Sequence, residues 1–339
     1  MKVGIYGAGG MGTVLGAFIS KAGYEIDLIN RNKEHVDALN NIGAHIIGKV
    51  DFIQKVKALL PSEMNGKYDI ILLMTKQRYN KEIVESIKPY LHEKSLICTM
   101  QNGLPEKAVS EIIGQDRTCG CAMSWGATFH GNGISELTSE PIKENLTFSI
   151  GKYGNNDPEL FSYIVEMLKS MGEVTIEDNF IGARWAKLLI NSAFSGLSVI
   201  TDSTFGEIAK NKKTKVLALE VIKECIEVAK AANIKIEPLQ GKDIVKYLDY
   251  DSNLRKWISL KLMTISMKRH RSIKSSMLRD LSKNRKTEID FINGVICEFG
   301  KQYKVNTPIN NKIVEVVHQI EEKKLVSSWE NIKYFQGIF

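Results

Sequence analysis

The chain has 339 residues, 43% hydrophobic and 25% charged positions, and a formal net charge of +7. The composition is ordinary for a globular protein, and the length suits two domains better than one. No apolar run approaches the ~18 residues that a membrane-spanning helix requires, and the five scattered cysteines lack metal-binding or C-x-x-C spacing.

The first predicted strand covers residues 2–6. It runs into Gly7-Ala8-Gly9-Gly10-Met11-Gly12, and a helical pattern follows over 12–22. This is G-x-G-x-x-G between a strand and a helix, the arrangement that seats a dinucleotide pyrophosphate on a helix N-terminus. Gly7 would make the tight turn, Gly9 would leave room for phosphate, and Gly12 would let helix and strand pack closely. The helix N–H groups and positive dipole end then bind the anion. A plain glycine-rich loop of another α/β protein is the competing reading, and the strand–turn–helix context argues against it.

The second strand, 25–29, ends at Ile29 and leads into Asn30-Arg31-Asn32. NAD-preferring sites hold an acidic residue at this strand end, whereas an arginine suits a 2′-phosphate. Asp27 falls in mid-strand and Glu34 in the next helix, so Arg31 points to NADP(H). The bland alternative is a surface arginine at a loop start.

Further strands are predicted near 69–74, 95–100 and 117–122, alternating with helices near 33–41, 80–91 and 105–113. That alternation implies a parallel sheet covered on both faces. Residues 43–56 read as a short irregular pair of strands and 127–151 as further β structure. A helix near 157–171 and a strand near 173–176 complete a first domain, 1–175. Beyond that the strand period stops, and helical patterns at 180–200, 212–232, 287–303 and 308–323 predict an all-helical domain, 176–339. The fold class is therefore α/β: an N-terminal Rossmann-type parallel-sheet domain followed by an all-helical C-terminal domain.

In such sheets ligands lie at the carboxyl ends of the strands. Two loops there carry polar residues, Thr75-Lys76-Gln77 and Gln101-Asn102-Gly103. In the helical half, Lys187 and Asn191 are four residues apart and share a helix face. Their neighbours Trp185, Leu188, Leu189 and Ile190 are apolar, which implies burial on most sides. A lysine there usually extends its amine to water; one held in a cleft serves as proton donor or oxyanion partner. Downstream lie Ser275, Ser276, Asp280, Glu288, Asp290 and Asn293, and spacing alone does not choose Glu288 over its neighbours. Between Arg255 and Lys286 basic residues recur with Asp280 as the only acid. Anionic ligands and solvated helix faces account for that charge. Interleaved aromatics, which a nucleic-acid partner would stack on, are missing, and Trp257 stands alone. The aromatic-rich tail SSWENIKYFQGIF would either cap the helical domain or contact another subunit.

Together these segments resemble the ketopantoate reductase (2-dehydropantoate 2-reductase) family over nearly the whole chain. The specific string is Ser275-Ser276-Met277-Leu278-Arg279-Asp280 followed by Asn284-Arg285-Lys286-Thr287-Glu288-Ile289-Asp290, joined by the glycine motif, Thr75-Lys76, Gln101-Asn102-Gly103 and Lys187 to Asn191. The resemblance implies a substrate cleft between the two domains and NADPH-dependent reduction of the 2-oxo acid ketopantoate to pantoate, toward pantothenate and coenzyme A. It implies Lys187 as general acid, an ammonium that stays charged at neutral pH, and Glu288 as its companion. Asn102, Asn191, Ser195 and Ser276 would contact substrate. Gly7, Ala8, Gly9, Gly10, Met11, Gly12, Arg31 and Lys76 would hold the cofactor, with Asn102 and Glu288 also reaching it. Family members often carry asparagines where this chain has Ser195 and Phe205, both expected to face substrate, and Thr-His-Ala-Ala where it has Met123-Ser124-Trp125-Gly126. A reductase of another branched 2-oxo acid, or a catalytically inactive NADP(H)-sensing module, are the alternative readings. The chain opens directly on its first strand, so no signal or transit segment is expected, and reduced cysteines fit a cytoplasmic location. Oligomeric state is not legible in the sequence; a homodimer is compatible with it.

Overall fold

The structure is a computed structural model describing residues 1–239, 241–267 and 271–338. Lys268, Arg269 and His270 of the basic stretch and Phe339 of the tail lie outside the described residues. The chain forms two compact units, one of Met1–Gln101 with Pro105–Phe180, the other of Asn102–Leu104 with the chain from Ile181 onward. The change-over lies past the boundary expected after residue 175, because residues 173–176 still pair as a strand in the first unit.

The first unit contains β1 (Val3–Tyr6), α1 (Gly10–Lys21), β2 (Ile26–Ile29), α2 (Lys33–Asn41), β3 (Ala44–Gly48), β4 (Phe52–Gln54), β5 (Lys57–Leu59), β6 (Tyr68–Leu73), α3 (Asn80–Ile87), β7 (Leu91–Thr99), α4 (Glu106–Ile113), β8 (Thr118–Met123), β9 (Ala127–Gly131), β10 (Ile134–Leu137), β11 (Thr147–Lys152), α5 (Pro158–Lys169) and β12 (Glu173–Ile176). Eight strands form one sheet in the order β12-β11-β8-β7-β6-β1-β2-β5. Its pairings are parallel except that of β11 with β8. Val3 pairs with Ile26 on one side and Ile70 on the other, so β1 is central, and its four residues are buried. Strands covered on both faces read as unbroken apolar runs, which is why these were legible. After β1 the chain builds outward through β2 and β5, then returns to β6 on the other side. That reversal opens a crevice at the carboxyl ends of β1 and β6.

A second sheet, β4-β3-β10-β9, covers α1, with the Phe18 and Phe52 rings edge to face at 5.4 Å. The irregular pair expected at 43–56 is its edge, completed from far away in sequence by the parallel pairing of β10 with β3. β5 was not among the expected strands. The helix expected over 80–91 ends at Ile87, and Pro89 sits in the 3₁₀ turn that follows.

The second unit comprises α6 (Phe180–Thr201), α7 (Phe205–Lys210), α8 (Lys212–Ala231), α9 (Ile244–Leu248), α10 (Asn253–Ser266), α11 (Ser276–Ser282), α12 (Asn293–Tyr303) and α13 (Pro308–Glu321). Shorter helices such as α7, α9 and α11 give too few turns for periodicity to reveal them. The helix expected over 287–303 begins only at Asn293. Before it, Ile289–Phe291 makes a 3₁₀ turn, and Ile292, at φ −115° and ψ −83°, breaks the helical path. The core gathers on α6, where Trp185, Leu188, Leu189, Phe194, Leu197 and Ile200 are almost fully buried. Each such side chain contributes about 1.5–3 kcal/mol, so α6 is held firmly by apolar contacts. Its C-terminus is finished by the tail: the Ser328 N–H and the Asn331 amide donate to the Ile200 carbonyl at 2.9 and 3.1 Å.

Candidate active site

The glycine loop is built around one carbonyl. Gly7 turns the chain at φ +105°, a conformation that side chains rarely adopt, and a methyl group there would strike Met74 and Thr75 of the neighbouring strand end. The Ala8 carbonyl accepts from the Asn30 amide at 2.7 Å, from His35 Nε2 at 3.0 Å and from the Thr13 hydroxyl at 3.1 Å. His35 is fully buried. Its Nδ1 accepts from the Gly133 N–H at 3.0 Å, which leaves the proton on Nε2. Burial lowers the His35 pKa, the Ala8 bond opposes this, and the neutral ring results. The loop is thereby tied to β2, α2 and the small sheet.

The loop also leaves room. A methyl group on Gly9 would meet nothing within 4 Å, whereas one on Gly12 would lie 2.7 Å from the Gly7 carbonyl and 3.1 Å from Ile5. Helix α1 has no side-chain cap and no acidic residue in its first turn. Helices α2, α5, α8 and α10, by contrast, are capped by Asn32, Asp157, Asn211 and Ser252. The first turn of α1 thus carries neither a capping side chain nor a carboxylate that would repel an anion, although α3, α4 and α12 likewise have no side-chain cap. Beside Gly7, the Thr75 hydroxyl is buried with no hydrogen-bond partner among the described residues. An open Gly9 face, an uncapped helix and an unsatisfied hydroxyl fit a pyrophosphate-bearing cofactor.

Within residues 26–32, β2 and the turn after it, Asp27 is the one carboxylate, and it is committed. Asp27 is buried, accepting from the Tyr68 hydroxyl at 2.7 Å and paired with Lys57 at 2.8 Å. Asn30 is committed to Ala8 and to the Asn32 N–H. Arg31 is exposed, its guanidinium 5.9 Å from the Tyr79 ring centre. Lys76 follows β6 and precedes the 3₁₀ turn Gln77–Tyr79. Gln101 latches the ends of β7 and β6 by donating to the Thr75 carbonyl at 2.7 Å and to Asn80 at 2.6 Å. Asn102 groups with the helical unit.

In that unit Lys187, Asn191 and Ser195 fall on one face of α6 and are half-buried. Ser275 is the N-cap of α11, accepting from the Met277 N–H, and its own N–H donates to Ser198 on α6 at 3.1 Å. Ser276, the next residue, is exposed. The two acids that spacing could not separate are separated here. Asp290 is exposed and pairs with His318 of α13 at 2.8 Å, while Glu288 is buried. Thr287 is held by Glu321, which accepts from both its N–H and its hydroxyl at 2.6 Å. Phe205, expected to face substrate, is 9% exposed at the start of α7 with its ring 5.5 Å from Phe194. His35 and the buried residues Glu224 and Asn310 were missed in sequence, since their partners come from distant segments and leave no local pattern.

Two family models cover most of the chain: ketopantoate reductase PanE/ApbA over residues 3–150 and its C-terminal counterpart over 179–321. A 2-dehydropantoate 2-reductase of Pyrococcus horikoshii is 29% identical over 314 residues, spanning 91% of this chain and 94% of the relative. In fold, the chain is similar to a D-mandelate dehydrogenase solved with NADH and anilino(oxo)acetate. That TM-score is 0.81 at 23% identity, covering 95% of this chain and 99% of the other. A PanE/ApbA family ketopantoate reductase from Ralstonia eutropha JMP134 gives 0.79 at 24% identity, covering 96% and 99%. With family models matching along both units, the chain belongs to the ketopantoate reductase family of oxidoreductases.

Proposed function

We propose that this chain reduces ketopantoate to pantoate with NADPH, and that Lys187 is the general acid. The observation that supports this most is the half-buried polar line Lys187–Asn191–Ser195 on one face of α6, in the same unit as a buried Glu288. A reduced nicotinamide dinucleotide, when bound, supplies hydride to a carbonyl carbon. The backbone of Gly7 to Gly12 would hold its pyrophosphate, Arg31 its 2′-phosphate, and Lys76, Asn102 and Glu288 would lie along the remainder. The Lys187 ammonium would stabilise charge growing on the substrate oxygen and then give it a proton. Glu288 would accept from the new hydroxyl or hold Lys187 in place. Asn191, Ser195 and Ser276 would bind the acid's polar ends.

NADPH oxidation against a panel of 2-oxo acids tests this reading. The panel includes aryl 2-oxo acids, because one solved neighbour is a D-mandelate dehydrogenase. Ketopantoate is expected to give the highest kcat/KM; turnover of another acid with none of ketopantoate would reject the substrate. Lys187→Ala is expected to lower kcat by ~10²–10⁴-fold, the usual worth of a positioned proton donor, with NADPH affinity within about twofold. Unchanged kcat would remove Lys187 from the chemistry.

A further inference from the structure

The helical unit contains a buried polar chain that the proposed reaction does not use. Glu224 of α8 is 7% exposed. Its Oε1 accepts from the Ile309 N–H at 2.8 Å, and its Oε2 accepts from the Asn310 N–H at 3.0 Å and the Asn310 side-chain amide at 2.7 Å. It does for α13 what Thr307, which makes no side-chain cap, does not. Burial pushes the Glu224 pKa up and these donors oppose it. Every group named here as facing Glu224 is an N–H, so the carboxyl acts as acceptor and the Asn310 amide must turn its nitrogen toward it. The Asn310 oxygen then accepts from Asn293 Nδ2 at 2.9 Å, and the second hydrogen of that nitrogen reaches the Ser192 carbonyl on α6 at 3.0 Å. Ser192, Asn293 and Asn310 are wholly buried.

The orientation has a cost. Asn293 Oδ1 is buried with no partner among the described residues, and an unsatisfied buried acceptor costs about 1–3 kcal/mol. An apolar side chain of similar size would avoid that penalty, so the retained amide implies that its two donated bonds matter. At this point the helices nearly touch. A methyl group on Gly196 would lie 2.4 Å from Ile313 Cγ2, 3.2 Å from Asn293 Oδ1 and 3.4 Å from Ile289. Asn293 therefore begins α12 directly after the Glu288 turn and reaches past Gly196 to the α6 backbone beside Asn191.

We propose that Asn293 is a positioning residue that locks the Lys187–Asn191 face of α6 in register with the Glu288 turn. The inference rests on the proposed role of Lys187, and it adds a residue that touches neither substrate nor cofactor.

The test uses the full chain with Asn293→Leu and with Asn293→Asp, which keeps the shape and loses the donors. Asn310→Ser, which releases the Asn293 amide from its fixed orientation, carries the test if neither of these folds. Expected are a kcat for the best 2-oxo acid lowered at least about tenfold, an NADPH dissociation constant within about twofold, and faster hydrogen exchange in peptides covering 187–197 with residues 1–150 unchanged. A folded variant with native kcat and native exchange over 187–197 would overturn the proposal. So would a parallel loss of kcat, cofactor affinity and protection along the whole chain, which marks a mere core residue. If the unaltered chain reduces no 2-oxo acid, the functional reading fails on that assay, and exchange over 187–197 still decides whether the lock exists.

Discussion

Three donors converge on the carbonyl of Ala8, and that single oxygen fixes the glycine loop proposed above to hold the pyrophosphate. His35 is the donor most exposed to a change of conditions, since only its neutral form satisfies both Ala8 and Gly133. Its pKa is lowered in the fold, so the unfolded chain binds a proton that the folded loop refuses. Stability from this residue is present above the ordinary histidine value of about 6.5 and is lost as pH falls below it. In His35→Gln the loss of thermal stability between about pH 6.5 and 5 should be shallower than in the unaltered chain. A slope that is unchanged would mean that His35 titrates freely. NADPH binding in the same variant should weaken about fivefold, the worth of one net hydrogen bond near 1 kcal/mol. Arg31 is tested through the choice between cofactors. Arg31→Glu should raise the NADPH KM by ~10–100-fold, as for lost hydrogen bonds to a charged group, and leave the NADH KM nearly unchanged. Equal loss for both would reject the 2′-phosphate assignment.

Helix α6 shows how one element carries both stability and the candidate chemistry. Its apolar residues are buried on several sides, and its Ile200 carbonyl near the C-terminus accepts from the chain's own tail. Only a narrow strip, Lys187, Asn191 and Ser195, remains polar and half-buried. Gly196 sits where α6 is crossed most closely, against Ile313 and Asn293. The glycine is demanded by that crossing and not by its backbone angles, since helical residues ordinarily prefer alanine. Gly196→Ala should therefore destabilise the chain by about 1–3 kcal/mol, the usual penalty for overpacking, despite the better helix propensity of alanine. Urea unfolding measures this, and a stabilised variant would show that the crossing has slack.

Across the whole molecule, what could be read from sequence was what local pattern encodes. The central strands β1, β2, β6 and β8 announced themselves because they are buried on both faces, and Gly7, Gly9 and Gly12 because the turn, the open face and the close helix each require a missing side chain. What could not be read depends on partners far apart in the chain. The small sheet exists only because β10 pairs with β3. Glu288 stands apart from Asp290 only because His318 takes the latter. His35 and Asn293 owe their placement to Gly133 and Asn310. The same long-range packing, with no covalent cross-link, holds the molecule together: all five cysteines are thiols and four are buried. Burial raises the Cys225 pKa and pushes that of Cys297 up to about 12, so little reactive thiolate forms near neutral pH. Titration of the native chain with an aromatic disulfide reagent at pH 8 should label at most one thiol quickly, with all five reacting once the chain is unfolded. The melting temperature should be the same with and without reductant. Rapid labelling of several thiols under native conditions would show that the sheet around β7 and β8 opens far more readily than its packing implies.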